Sequence, residues 1–177
     1  MRWLPILLIS AGCGRFNFRD IPVDAAADAA PDAAIDADDN AVDPCADSYT
    51  ATFGTSRYRI ETTAVAWDAA ERACEADGRG MHLVLFGDSP EMNAVEALEM
   101  GTPIWVGLSD RITEGEFVNV TGTKPLFEPW QTDDPSFAGP GCVGFDPSAR
   151  TYHDVACDTP VAYVCECDGM RARPSSF

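Results

Sequence analysis

Positive charge is scarce in this chain. Lysine and arginine number 12 against 29 aspartates and glutamates, which gives a formal net charge of −17 over 177 residues. A polyanion approaching such a surface meets a repulsive field, so nucleic acid is excluded as a partner. Long apolar runs are also missing. The most apolar stretch, Trp3-Leu4-Pro5-Ile6-Leu7-Leu8-Ile9, is far short of the roughly 20 residues that cross a bilayer as a helix. Histidine occurs only as His82 and His153, and there is no His-x-x-x-His pair, glycine-rich phosphate loop or Cys-x-x-Cys pair. No nucleophile stands with a matched base, so the chain is read as having no enzymatic role.

What is present is enough for one globular domain with tails: hydrophobic residues make up 46% and aromatics 10%. The acidity is unevenly placed. Residues 1–12 read as an export signal, with the small residues Ser10-Ala11-Gly12 just before Cys13. That junction resembles the lipobox of bacterial lipoproteins, although its apolar segment is short and Ser10 stands where leucine is usual. The resemblance implies lipidation at Cys13 and a lipid-anchored protein of the cell envelope, at the outer membrane, with simple secretion as the alternative. Membrane contact is then expected only through that anchor. Residues 13–44 read as a disordered spacer, because Asp20 to Asp43 is mostly Ala and Asp and holds eight acidic residues and no basic one. Asp24, Asp28, Asp32 and Asp36 would stack like charges on one helical face, and too few apolar residues accompany them to offset the entropy of ordering.

Six of the seven cysteines fall between Cys45 and Cys167. In an exported domain this density points to disulfides rather than to a metal centre, but spacing alone does not choose the pairing. Trp67, Ala70, Ala73 and Cys74 recur at helical spacing within 64–74, and Gly78 stands past the end. A second helix is expected from Ser89 as cap, with Pro90 at its first position, Met92, Val95 and Leu98 on its inner stripe, and Gly101 as its end. Short strands follow at 104–108, 117–120, 142–145, 151–153 and 161–165, and His82 falls on a strand after the first helix. Helices followed by a strand-rich half indicate an α+β domain over 45–167, with 168–177 as a disordered tail.

Several of these segments together resemble the C-type lectin-like domain. Trp67-Asp68-Ala69-Ala70-Glu71-Arg72-Ala73-Cys74 looks like its first-helix motif, and Trp105-Val106-Gly107-Leu108 is similar to its Trp-Ile-Gly-Leu signature. Phe117 to Gly122, Trp130, the spacing of Cys142, Cys157 and Cys165, and the ending Ala162-Tyr163-Val164-Cys165-Glu166 continue the pattern. The resemblance implies disulfides Cys74 with Cys165 and Cys142 with Cys157. It leaves Cys45 and Cys167 to each other, since the family's first and last strands lie side by side.

The resemblance also implies a site. Sugar-binding members hold Ca²⁺ between a long loop, here Leu126 to Gly141, and a neighbouring strand. The loop motif Glu-Pro-Asn appears as Asp134-Pro135-Ser136, Pro140 stands in place of a third acid, and the strand motif Trp-Asn-Asp appears as Tyr152-His153-Asp154. Only Asp154 matches in full. Ca²⁺ takes six to eight oxygen ligands, and imidazole is a poor partner for a hard cation. Asp133, Asp134, Ser136 and Asp154 are therefore the candidate ligands of a degraded Ca²⁺ site, and no other cofactor is expected. Asp134, Pro135, Ser136, Phe137, Tyr152, His153 and Asp154 are the candidate contacts of a recognition module for carbohydrate, with a calcium-independent protein-binding module or a structural envelope component as the alternatives, and Pro135 is expected to be cis. Phe137 is expected to be exposed in a polar loop, and Trp130 is expected to lie in the core.

Overall fold

The computed structural model describes residues 45–98, 101–136, 139 and 141–177. The export signal, Cys13, the acidic spacer, Phe137 and Pro140 lie outside the described residues. The elements run in the order β1 (Ala51–Phe53), β2 (Ser56–Val65), α1 (Trp67–Glu75), β3 (Met81–Leu83), α2 (Ser89–Glu96), β4 (Ile104–Ser109), β5 (Val118–Asn119), β6 (Gly141–Asp146), β7 (Thr151–Ala156) and β8 (Val161–Cys167), followed by a 3₁₀ turn at Pro174–Ser176. The fold is α+β, with the strands joined in the order β1-β2-β8-β4-β6-β7; β3 pairs with β8 and β5 with β4.

Strand alternation builds the core. On β4, Ile104, Val106 and Leu108 pack among Tyr58, Phe86, Met92 and Phe145, while Trp105 packs on the opposite side with Trp67, Cys74 and Tyr163. On β8, Ala162 and Val164 take the first side and Tyr163, Cys165 and Cys167 the second. The antiparallel β2–β8 pairing sets Arg57 opposite Cys167 and Val65 opposite Val161, so the first long strand lies beside the last. β4 runs parallel to β8, with Trp105 beside Tyr163. Gly107 is a point of close backbone approach, since a Cβ there would lie 2.8 Å from the Leu83 carbonyl oxygen.

α1 buries Trp67, Ala70, Glu71 and Cys74, the i, i+3, i+4, i+7 face of a helix lying on the sheet. It starts at Trp67 rather than Ala64, because 62–65 continue β2 against β8 and the Trp67 amide donates to the Cys157 carbonyl at 2.9 Å. The indoles of Trp67 and Trp105 donate to the carbonyls of Val106 (2.8 Å) and Val65 (2.9 Å), which meets the polar need of each buried ring. α2 is capped by Asp88, not by Ser89. The Asp88 carboxylate accepts the Glu91 amide at 2.9 Å, and Glu91 accepts the Gly87 amide at 2.7 Å in return. The helix ends at Glu96, short of Gly101.

Disulfides join Cys45 to Cys167, Cys74 to Cys165 and Cys142 to Cys157. The segment after Cys167, expected as a disordered tail, instead has a defined course. The Arg173 amide donates to the Val120 carbonyl at 2.7 Å, and the Phe177 ring meets Trp67 edge-on at 5.4 Å. An aromatic ring with a buried indole to cover explains the difference. No helix among the described residues is long and apolar enough to cross a membrane.

Candidate functional site

The long loop is fastened to the sheet by its backbone. Tyr152 donates to the Pro129 carbonyl at 2.7 Å and accepts from the Gln131 amide at 3.0 Å, so residues 129–131 extend the β7 edge. Trp130, expected in the core, is half-buried against its margin and packs on Phe117 at 4.8 Å and on Tyr152 at 5.7 Å. Tyr152 is 2% exposed and lies among Phe86, Phe145 and Trp130. This corrects the expectation that Tyr152 contacts a ligand: β7 alternates, so Tyr152 faces inward.

Beyond this anchor the chain turns at Asp133, whose φ is 74°, and passes through a cis Asp134–Pro135 bond. The turn brings the loop over β7. An Asp134 Oδ lies 3.2 Å from His153 Nδ1, and the Ser136 hydroxyl lies 3.5 Å from an Asp154 oxygen. Asp134, Ser136, His153 and Asp154 thus come together, with Pro135 shaping the approach, while Asp133 stays at the exposed bend. The other ring nitrogen of His153 faces the Thr151 hydroxyl at 3.3 Å. Asp134, His153 and Asp154 line a cavity of about 400 Å³ whose apolar side includes Pro103, Val155 and Val161.

Two further acids, unread in the sequence, complete the surroundings. Asp110 is 1% exposed and is committed to backbone, accepting the Gly141 amide at 2.6 Å and the Gly115 amide at 2.8 Å. Glu114 accepts the Gly139 amide at 3.4 Å. The readable signal was a pair of carboxylates four residues apart, just after the β4 signature. Burial, with Asp110, Glu114 and Asp134 adding like charge, raises the Asp154 pKa above the usual carboxylate range. The Asp154 carboxylate occupies the space over Gly141, where a Cβ would come within 1.6 Å of it.

This donor set does not fit Ca²⁺. Among the described residues Asp134 is paired with an imidazole, Asp110 is used up by two amides, and Ser136 supplies a neutral hydroxyl, which leaves Asp154 and Glu114 short of the six to eight oxygens such an ion requires. What the arrangement offers is a polar rim of one imidazole, two carboxylates and a hydroxyl beside an apolar wall. Such a rim suits hydrogen bonding to a hydroxyl-rich or amide-rich ligand.

Comparisons with known proteins agree with this architecture. The family model of the C-type lectin domain matches residues 63–167. The human C-type lectin domain family 3 member A is 34% identical over 95 residues, covering 50% of this chain and 48% of that protein. The chain thus spans about half the length of that relative. One of the chains of the snaclec coagulation factor IX/factor X-binding protein from Echis carinatus is 27% identical over 126 residues, 69% of this chain and 96% of that one. Among solved structures, the cow C-type carbohydrate-recognition domain of CD23, determined in the presence of a GlcNAc2Man3 oligosaccharide, superposes with a TM-score of 0.62. It is 26% identical and covers 69% of this chain and 94% of that one.

Proposed function

The chain belongs to the C-type lectin domain family, and from that premise we propose that it is an extracytoplasmic recognition module that binds carbohydrate without a bridging metal. Recognition is assigned to the loop 126–141 and the outward face of β7, through Asp134, Ser136, His153 and Asp154. The observation that carries this reading is the Asp134–His153 pair at 3.2 Å, in which a loop carboxylate is satisfied by a side chain where a cation would otherwise be needed. The cow CD23 domain, named as carbohydrate-recognising, supports a sugar as the ligand class. The domain is proposed to bind and not to catalyse. Lipidation of Cys13 would hold it at the envelope, with secretion as the alternative; six of the seven cysteines are used in disulfides, which leaves Cys13 available for that role.

A glycan array screened with and without chelator tests the reading. Binding that is unchanged by chelator and lost in His153→Gln supports it. Binding abolished by chelator would reject the metal-free mechanism. A second reading, a protein ligand, is favoured by the Echis carinatus relative, which is matched over nearly its whole length and is named for binding coagulation factors. Blank arrays would turn the assignment that way.

A further inference from the structure

A second cavity of about 600 Å³ touches the loop only at Leu126 and contains none of Asp134, Ser136, His153 and Asp154. Glu166 and Asp168 form part of its wall, with Glu91 and Lys124 alongside and Leu126 and Met170 also lining it. Glu166 lies directly opposite His82 in the antiparallel β3–β8 register. The same alternation that sends Cys165 and Cys167 to one side of β8 sends Glu166 to the other, and both neighbouring cysteines are held in disulfides. Asp168 follows at once, with its amide on the Gly80 carbonyl at 3.3 Å and its carboxylate accepting the Met170 amide at 2.7 Å. Three side chains of metal-ligand type are thereby fixed together by a covalently stapled strand.

We infer that His82, Glu166 and Asp168 form a binding site for a divalent transition-metal ion of the Zn²⁺ class, open to this cavity. Each residue offers one ligand atom, and these atoms all lie within 4.8 Å of one another. His82 Nδ1 lies 2.8 Å from the Leu83 carbonyl oxygen, which can only accept, so the ring carries its proton there. A second ring proton on Nε2 donates to Asp168 Oδ1 at 3.1 Å, and a metal ion would take the place of that proton. A backbone carbonyl holding one imidazole nitrogen so that the other can ligate is the usual outer support of a metal-bound histidine. Glu166 is steadied by the Leu85 amide at 2.9 Å and by Ser56.

The charges point the same way. Two carboxylates meet one imidazole at a place where His82 is fully buried and Glu166 is 2% exposed. A proton on the ring balances one of them, whereas a divalent ion on the neutral ring balances both. One nitrogen and two carboxylates, with a position left open toward the cavity, match four-coordinate Zn²⁺ better than Ca²⁺. The cavity supplies the approach and the room for a fourth ligand.

Calorimetry with Zn²⁺ on the chelator-treated full chain tests the assignment. One high-affinity equivalent is expected in the wild type and in His153→Gln, with affinity about tenfold or more weaker in His82→Gln and Asp168→Asn. Circular dichroism establishes that each variant folds. Should His82→Gln fail to fold, Asp168→Asn at the end of β8 decides the question. No Zn²⁺ binding in the wild type, wild-type affinity in folded Asp168→Asn, or loss of binding in His153→Gln would each overturn the site.

Discussion

Glu71 shows what one side chain can do to the pH response of the domain. It is fully buried on the inner face of α1; one oxygen accepts the Leu83 amide at 2.8 Å and the other has no partner. Burial pushes its pKa up to about 7, with the Leu83 amide and the charge of His82 pulling it partly back. Between the ordinary glutamate value and this raised one, the native state keeps a proton that the unfolded chain has released. Stability therefore falls as pH rises through that window and stays reduced above it. Glu71→Gln cannot titrate and should remove this slope. In chelator, urea unfolding is expected to show the variant gaining over wild type from pH 5 upward, reaching about 2 kcal/mol at pH 8. Gly141→Ala isolates a different residue. Its Cβ would displace the Asp154 carboxylate while leaving an unstrained backbone, so thermal unfolding should change by about 1 kcal/mol or less. Ligand binding at the loop should drop sharply in the same protein. Much at this scale was legible: Asp134, Ser136, His153 and Asp154 converge as their motif positions imply. Tyr152 was not legible, because an aromatic between polar residues reads equally well as a contact or as core until the strand's inward side is known. Glu71, His82 and Glu166 also escaped notice as a buried polar group, since their partners come from segments distant in sequence.

Among the elements, α2 depends most on a local device. The Asp88 carboxylate accepts the Glu91 amide, the Glu91 carboxylate accepts the Gly87 amide, and Glu91 also accepts the Tyr58 hydroxyl at 2.7 Å, which ties the helix to β2. Asp88→Ala should cost about 1 kcal/mol in urea denaturation, with an unchanged dependence on urea concentration. The sequence pattern places this cap on Ser89, one residue late, because Asp and Ser are both good caps and stand side by side. β4 is easier to read, since its apolar residues serve both sides of the sheet and make an unbroken run. The C-terminal end of β2 is not: 62–64 are exposed, so nothing in their hydrophobicity separates a strand end from a helix start, and pairing with β8 decides it.

At the scale of the molecule, three disulfides act on a single domain, and their effects are not independent. Alone, the Cys45–Cys167 bridge would close a loop with a sequence separation of 122. With Cys74–Cys165 already in place, the ring it closes is only roughly thirty residues, worth about 4 kcal/mol on the chain-entropy estimate. Replacing Cys45 and Cys167 together by serine should lower stability by up to that amount in denaturant unfolding, with the fold retained. The α+β class followed from helices preceding a strand-rich half. The course of residues 168–177 did not, because short polar tails carry no periodicity and only the surface they meet can order them.

The same bridge determines how the domain carries tension. Cys45 and Cys167 stand 5.7 Å apart at their Cα atoms, so a force drawing these two points apart passes through a covalent link. The paired strands bear none of it. Anchored at one end and engaged to a ligand by its loop, such a domain would yield first at the grip on that ligand. Under pull from its two ends it would release only the short segment beyond Cys167 before the sulfur bond itself took the load.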